Sequence, residues 1–340
     1  MTRVSLAIPI EEESRVGEAR RAAQRLAAAA GFDENAAGKA ALAATEMATN
    51  IVKHAGAGEL VLRRIDELGA RGIEMLALDR GRGIRNVAES MRDGHSTAGS
   101  PGTGLGALER LADAFEVWSV PDGGTAVLVR LWLAPPRGGA RAGHAVGAVN
   151  VPCPGEAVCG DSWIVEQSGD SLFALVADGL GHGERAAEAA DEAARVFAAR
   201  RAGGGLPDLM GRIDDALRKT RGAAIGLAEI DRARRLIRYV GVGNIAGSIV
   251  TANAHARSRS VVSLNGTVGG GVRKVQEFTY PCENGALLVL HSDGLRGLWS
   301  LDRYPGLLRR DPALIAGVLY RDYRRSRDDV TVVVLRTDGG

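Results

Sequence analysis

Four short aspartate-bearing motifs divide this sequence into two chemistries. Asp79-Arg-Gly-Arg-Gly83 stands in the first half, and Asp178-Gly-Leu-Gly-His-Gly183, His291-Ser-Asp-Gly294 and Arg327-Asp-Asp-Val-Thr331 stand in the second. Ahead of the first motif, Glu46, Asn50 and His54 recur at four-residue spacing, which puts them on one face of a helix with Lys53 beside them. An Asn amide oxygen can bind a magnesium ion whose other ligands are phosphate and water. Asp79, at the end of a strand-like run, can accept a hydrogen bond from the amino group of adenine. Gly81 and Gly83 let the backbone approach a base closely. Gly102-Thr103-Gly104-Leu105-Gly106 opens a helix and offers backbone N–H groups to phosphates. Each piece alone reads more readily as a turn or a solvated face; their order and spacing together indicate a nucleotide site.

The second set is made of oxygen donors alone. Asp161 after Gly160, Asp178 with Gly179, Asp293 with Gly294, and the pair Asp328-Asp329 each lie beside an apolar run. Carboxylates without neighbouring Cys or His ligands suit magnesium or manganese rather than zinc. Two such ions sharing a water would lower its pKa and align it with a phosphorus atom, giving hydrolysis without a covalent enzyme intermediate. Asp-Gly is also the commonest of turn dipeptides, and Asp293-Gly294 taken singly reads equally well that way.

The elements that must position these residues follow from periodicity. Val4 to Ile10 alternates as a strand, Arg15 to Ala30 reads as a helix ended by Gly31, and Asp33 caps a long helix reaching His54. Strands are expected over 59–66 and 73–79, and a short helix over 105–112. Residues 115–120 pair with 125–133 through Pro-Asp-Gly-Gly, giving a mixed sheet with helices packed on it. Pro135, Pro136 and the glycines up to Gly143 mark a linker. Beyond it, strands near 162–167, 171–177, 223–230, 235–240, 245–250, 275–279, 286–291 and 330–336 alternate with helices near 184–201, 207–219 and 312–322. That pattern predicts two packed sheets flanked by helices.

Length and composition set the frame. At 340 residues, with 45% hydrophobic content, the chain suits two domains with a core each. A net charge of +2 calls for neither nucleic acid nor an anionic membrane as partner. Cys153, Cys159 and Cys282 show no zinc spacing and no even disulfide count, which points to a reducing compartment. With no charged-then-apolar leader and no uncharged run near the ~20 residues of a membrane span, a cytoplasmic location is expected.

Ala48-Thr-Asn-Ile-Val-Lys-His-Ala-Gly56, Asp79-Arg-Gly-Arg-Gly-Ile84 and Gly102-Thr-Gly-Leu-Gly106 resemble the GHKL ATPase superfamily, and within it the RsbT type of anti-sigma serine/threonine kinase. The resemblance implies ATP and Mg2+ as cofactors and a STAS-domain protein as substrate. Glu46 would polarise the substrate hydroxyl, Asn50 would bind magnesium and Asp79 would read adenine, with Lys53, His54, Gly81, Gly83, Thr103, Gly104, Leu105 and Gly106 completing the pocket. Cys159-Gly-Asp-Ser162, Val176-Ala-Asp-Gly-Leu-Gly-His-Gly183, Gly243-Asn-Ile245, Leu288-Val-Leu-His-Ser-Asp-Gly294 and Ser326-Arg-Asp-Asp-Val-Thr-Val-Val333 resemble the SpoIIE/RsbX branch of PPM serine/threonine phosphatases. That resemblance implies two Mn2+ or Mg2+ ions on Asp178, Asp293 and Asp328, the Gly179 carbonyl completing the bridge and Asp161 assisting through water. It makes His182 a loop residue near the site and His291 a replacement without consequence. Arg321 to Arg327 reads as a solvated helix end, with phosphate steering as its alternative.

The expected fold is α/β (α+β) in two domains: a Bergerat-type ATP-binding α/β sandwich over 1–136 and a PPM-type α-β-β-α sandwich over 146–340, joined by a linker at 137–145. The expected function is a bifunctional partner-switching regulator that phosphorylates and dephosphorylates a STAS protein, as in a stressosome-like complex. The alternative is an ATP-binding regulatory or anti-sigma module, without kinase activity, controlling a metal-dependent phosphatase.

Overall fold

Alanine-rich stretches form closely packed helices in a computed structural model that describes residues 4–91, 104–136, 144–200, 204–251, 257–272 and 274–337. Strand β1 (Leu6–Ile10) leads into α1 (Ser14–Ala30), which ends at Gly31 with φ 99° as its left-handed cap. The Asp33 carboxylate accepts the Ala36 N–H at 2.8 Å and so caps α2 (Glu34–Ala55). Strands β2 (Gly58–Glu67) and β3 (Ala70–Asp79) follow, then the short helices α3 (Val87–Ser90) and α4 (Leu105–Leu111), and then β4 (Ala114–Ser119) and β5 (Thr125–Ala134).

The sheet order is β1-β2-β3-β5-β4, and every neighbouring pair is antiparallel. The mixed sheet expected from the sequence is therefore not formed. Tight turns explain this: Leu68-Gly69 joins β2 to β3 and Pro121–Gly124 joins β4 to β5, with positive φ at Leu68, Gly69, Asp122 and Gly124. Hairpins of that length connect only antiparallel strands. Ile8, Ile10, Leu60, Leu62, Met75 and Val129 meet Ala44, Met47, Ala48 and Ile51 of α2 to form the core on one face.

In the second half, β6 (Val146–Val151), β7 (Asp161–Ser168), β8 (Ser171–Gly179), α5 (Glu184–Ala198), α6 (Leu206–Leu217), β9 (Ala223–Asp231) and β10 (Leu236–Val242) are followed by β11 (Ala246–Thr251), β12 (Arg257–Ser260), β13 (Ser263–Leu264), β14 (Phe278–Pro281), β15 (Leu287–His291), α7 (Pro312–Tyr323) and β16 (Val330–Arg336). One sheet runs β13-β10-β9-β8-β7 with β14 beside β10, and the other runs β12-β11-β15-β16-β6. Helices α5 and α6 cover the first of these through Ala189, Ala193, Phe197, Met210 and Ile213. The expected strand at 275–279 lies later, at 278–281, where it pairs with β10.

The chain divides into two compact units, and the division does not follow the sequence order throughout. Ser5–His144 forms one unit together with Tyr304–Arg321, whereas Ala145–Arg303 and Asp322–Gly340 belong to the other. Residues 304–321 fall within the span expected for the second domain, and their side chains show why they pack in the first unit. Arg63 of β2, Glu74 of β3 and Arg130 of β5 form one cross-strand row on the sheet face away from the core. Arg63 donates to Glu74 at 2.6 Å and Glu67 at 2.7 Å, and Arg130 donates to Glu74 at 2.7 Å. Arg130 then grips both oxygens of Asp311, at 2.6 and 2.7 Å, as a planar fork. Burial alone would lower the Arg130 pKa, but the Asp311 and Glu74 carboxylates reverse this and raise it. Trp118 donates to the Pro305 carbonyl at 3.0 Å and meets Tyr304 edge-on.

These ion pairs are almost fully buried, so removing one partner leaves a stranded charge. Asp311→Ala is expected to cost roughly 3–5 kcal/mol of stability and to shift the urea unfolding of the first unit to lower concentration. An unchanged midpoint would contradict the role given to this network.

Candidate functional site

Asp79 ends β3, and its carboxylate is held in place by the chain around it. Oδ1 accepts the Gly81 N–H at 2.8 Å and the Thr125 N–H at 3.2 Å. Burial pushes this carboxyl above its ordinary value, while those two hydrogen bonds, Arg321 and His54 pull it back. A Cβ on Gly81 would lie 2.7 Å from the Ala55 Cβ, which puts the Asp79-Arg-Gly turn against the end of α2. Gly83 has φ 68°, and a Cβ there would strike the Val120 carbonyl, so the turn tolerates no side chain at either position. Burial, Arg82 and Lys53 lower the His54 pKa, and Asp79 opposes them, so His54 and Asp79 share one local field.

Glu46 and Asn50 are half-buried on α2, and neither side chain has a hydrogen-bond partner among the described residues. Lys53 is exposed. Leu105 and Gly106 begin α4, and Gly104 caps it without a side chain, leaving its first N–H groups bare of side-chain acceptors. Thr103 lies outside the described residues. The geometry thus brings Asp79, Gly81, Gly83 and His54 together and aligns Glu46, Asn50 and Lys53 on the helix beside them.

The metal-type aspartates sit at strand ends of the two stacked sheets. Asp161 and Asp178 are direct register partners at the end of β7 and β8. Asp293 comes two residues after β15, and Asp328 two residues before β16, its antiparallel neighbour, so both occupy the same end. Close backbone approach makes this possible. A Cβ on Gly179 would strike the Ala186 carbonyl, and one on Gly294 would strike the Asp329 carbonyl. Asp178-Gly179 is accordingly strand, not turn.

Burial and the surrounding carboxylates raise Asp178 to about 9, and burial raises Asp161 to about 7. Asp328 is raised as well, by burial and then by Asp293. Asp161 Oδ2 and Asp329 Oδ2 are buried without a hydrogen-bond partner. Orphaned oxygens and mutual repulsion both fit a site completed by hard divalent cations. Among the described residues no three of these side chains already converge as a ready-made cage.

The sequence gives Asn244 and Glu156 no role of their own and names Asp329 only as part of an acidic pair. Asn244 donates to Asp293 Oδ2 at 2.7 Å and so fixes that carboxylate's orientation. Asp329 accepts the Cys153 N–H at 2.8 Å and anchors the 151–160 loop. Glu156 lies 2.6 Å from His182 Nδ1, pairing the exposed loop histidine. His291 is buried and neutral: Trp299 donates to its Nε2, which leaves Nδ1 to donate to the Ser292 carbonyl. Arg321 is buried rather than solvated, and donates to the Asp79 carbonyl at 2.6 Å and to that of Gly123 at 3.1 Å. Arg324 to Arg327 are exposed as expected.

Comparison with known proteins meets these two sites separately. The histidine kinase-like ATPase domain family matches residues 8–131, and the Stage II sporulation protein E (SpoIIE) family matches residues 168–338. The chain belongs to the SpoIIE family, with an RsbT-family domain in its first half. Over 115 residues it is 34% identical to the serine/threonine-protein kinase RsbT of Bacillus subtilis (strain 168), covering 34% of this chain and 86% of that protein. It is 28% identical over 141 residues to the phosphoserine phosphatase RsbX of the same organism, covering 42% of this chain and 69% of RsbX. A solved structure from work on the bacterial stressosome, described as a modular system adapted to control secondary messenger signaling, aligns with TM-score 0.52 and 30% identity over 56% of this chain and 98% of that one.

The SpoIIE-type unit therefore carries the strand-end aspartates, and the RsbT-type unit carries the Asp79 turn. No described helix is long and apolar enough to cross a membrane. If Asn244 holds Asp293 for a cation, Asn244→Ala should raise the manganese concentration giving half-maximal thermal stabilisation by roughly tenfold. Identical manganese titrations of the two proteins would rule out that positioning.

Proposed function

We propose that this protein sets the phosphorylation state of a STAS-domain partner from both directions. Its RsbT-type unit transfers phosphate from ATP to a serine or threonine, and its SpoIIE-type unit removes it. The observation that carries the reading is that one chain is similar to an RsbT kinase in its first half and to an RsbX phosphatase in its second, one for each arm of such a switch.

In the first unit, Asp79 is suited to read the adenine amino group, because both backbone donors occupy Oδ1 and orient the carboxylate. Asn50 supplies an amide oxygen for magnesium. Glu46 is the base: it takes the proton of the substrate hydroxyl as that oxygen attacks the γ-phosphorus and ADP departs. Lys53, His54, Gly104, Leu105, Gly106 and Thr103 complete the pocket in this reading.

In the second unit, Asp161, Asp178, the Gly179 carbonyl, Asp293 and Asp328 would hold divalent cations, manganese or magnesium. Bound there, the cations supply Lewis acidity and an activated water for in-line attack on phosphorus. The residues themselves set the geometry: the Asp161–Asp178 strand pair fixes one side, and Asn244 orients Asp293 on the other. The partner is a STAS-domain protein within a stressosome-like assembly, and the setting is cytoplasmic.

Two substitutions separate the arms. Asp178→Asn should abolish manganese-dependent phosphoserine hydrolysis while circular dichroism stays unchanged. Asp79→Asn turns an amide N–H2 toward the adenine amino group and should weaken ATP binding about tenfold or more by calorimetry. Near-normal hydrolysis in the first variant, or unaltered ATP affinity in the second, would remove the corresponding arm. ATP binding without any transfer to a STAS partner would reduce the first unit to a regulatory module.

A further inference from the structure

Beside the aspartate cluster, the SpoIIE-type unit contains a cavity of about 320 Å³. Its walls are Leu180 and Ala224, Gly243 and Asn244, and the Asn265–Thr267 turn. Two of these residues belong to the cluster's own framework. Leu180 directly follows Asp178-Gly179, and Asn244 is the donor that holds Asp293. The cavity therefore opens next to the position a phosphoester must take to reach the carboxylate-bound cations.

The walls are fixed before any ligand arrives. The Leu180 N–H donates to the Gly222 carbonyl at 3.1 Å, and the Gly243 N–H donates to the Leu264 carbonyl at 2.8 Å. Ala223 and Val268 exchange backbone hydrogen bonds at 3.0 and 2.9 Å, which ties the Asn265–Thr267 turn to the start of β9. A Cβ on Gly222 would lie 2.7 Å from Thr267 Cγ2, so the turn is packed as well as hydrogen-bonded.

The lining side chains carry no formal charge. Two amides, one hydroxyl, two glycines, a leucine and an alanine present donors and acceptors without a formal charge. A phosphate would find no cation there, and a metal ion no carboxylate. A peptide backbone, with one N–H donor and one C=O acceptor per residue, fits such a lining, and a cavity near the ~300 Å³ lower end of ligand pockets holds only a short segment. Leu180, 43% exposed, gives an apolar contact at the rim.

We propose that this cavity is the subsite for the peptide segment flanking the phosphorylated serine or threonine, gripped by Asn265 and Thr267 while the phosphate enters the aspartate cluster. The assignment deepens the phosphatase reading and rests on it. It makes the enzyme a reader of extended peptide next to the phosphoester rather than of the phosphate alone.

The test compares two substrates on the full-length protein with manganese: a phosphoserine peptide and a small aryl phosphate that carries no flanking chain. Asn265 is exposed and Thr267→Val preserves shape, so Asn265→Ala and Thr267→Val should melt like the parent. The expected result is a KM for the phosphopeptide raised about fivefold or more in each variant, the ratio of peptide to aryl phosphate kcat/KM falling by the same factor. Equal changes for both substrates, or no change for either, would overturn the subsite. Failure of the unsubstituted protein to hydrolyse either substrate would instead bring down the phosphatase reading, and the subsite with it.

Discussion

Carboxylates delivered to one end of two stacked sheets repel one another, and the chemistry of the SpoIIE-type unit depends on that repulsion. Asp161 and Asp178 face each other as a strand pair, with Asp293 and Asp328 brought in by the second sheet. The pKa values of Asp161, Asp178 and Asp328 rise because burial and shared negative charge disfavour ionisation together. Divalent cations relieve both penalties at once, and the same cations are what phosphoester hydrolysis requires. Glycines at 179 and 294 let the chains approach closely enough to create the problem.

The RsbT-type unit is organised by a different constraint. Its sheet has helices α1 and α2 on one face and a row of charges, Arg63, Glu74 and Arg130, on the other. Desolvated charges need partners, and Asp311, from far along the chain, supplies the last one. The 304–321 segment that carries Asp311 also places Arg321 on the Asp79 carbonyl, at the end of β3. The Asp79 turn is thus braced by residues remote from it in sequence. A fragment ending near residue 136 would lack them.

Much of this was legible in the sequence because local signals coincide with the elements. Asp33 capping α2, Gly31 ending α1 and the Pro-Asp-Gly-Gly turn between β4 and β5 all read correctly. Asp161, Asp178, Asp293 and Asp328 stood out because each lies beside an apolar run, and those runs are the strands whose ends carry them. Asn244 was not singled out as a site residue, since a neutral amide beside a glycine has no local signature that separates it from a turn. The Arg63–Glu74–Arg130–Asp311 network was invisible for another reason: its members lie on three strands and a distant loop, and cross-strand register is not written in any one segment. The antiparallel sheet was misjudged because strand direction depends on connections that periodicity does not report.

The account's central claim is that two opposed activities share one chain and one substrate residue. Phosphosite mass spectrometry on a STAS-domain partner tests it most directly: the full-length protein is supplied first with ATP and magnesium, and then with manganese after ATP is removed. The account predicts that one serine or threonine gains phosphate in the first stage and loses it in the second. Phosphate that appears on one residue and persists there in manganese, while the same protein clears a generic phosphopeptide, would contradict it.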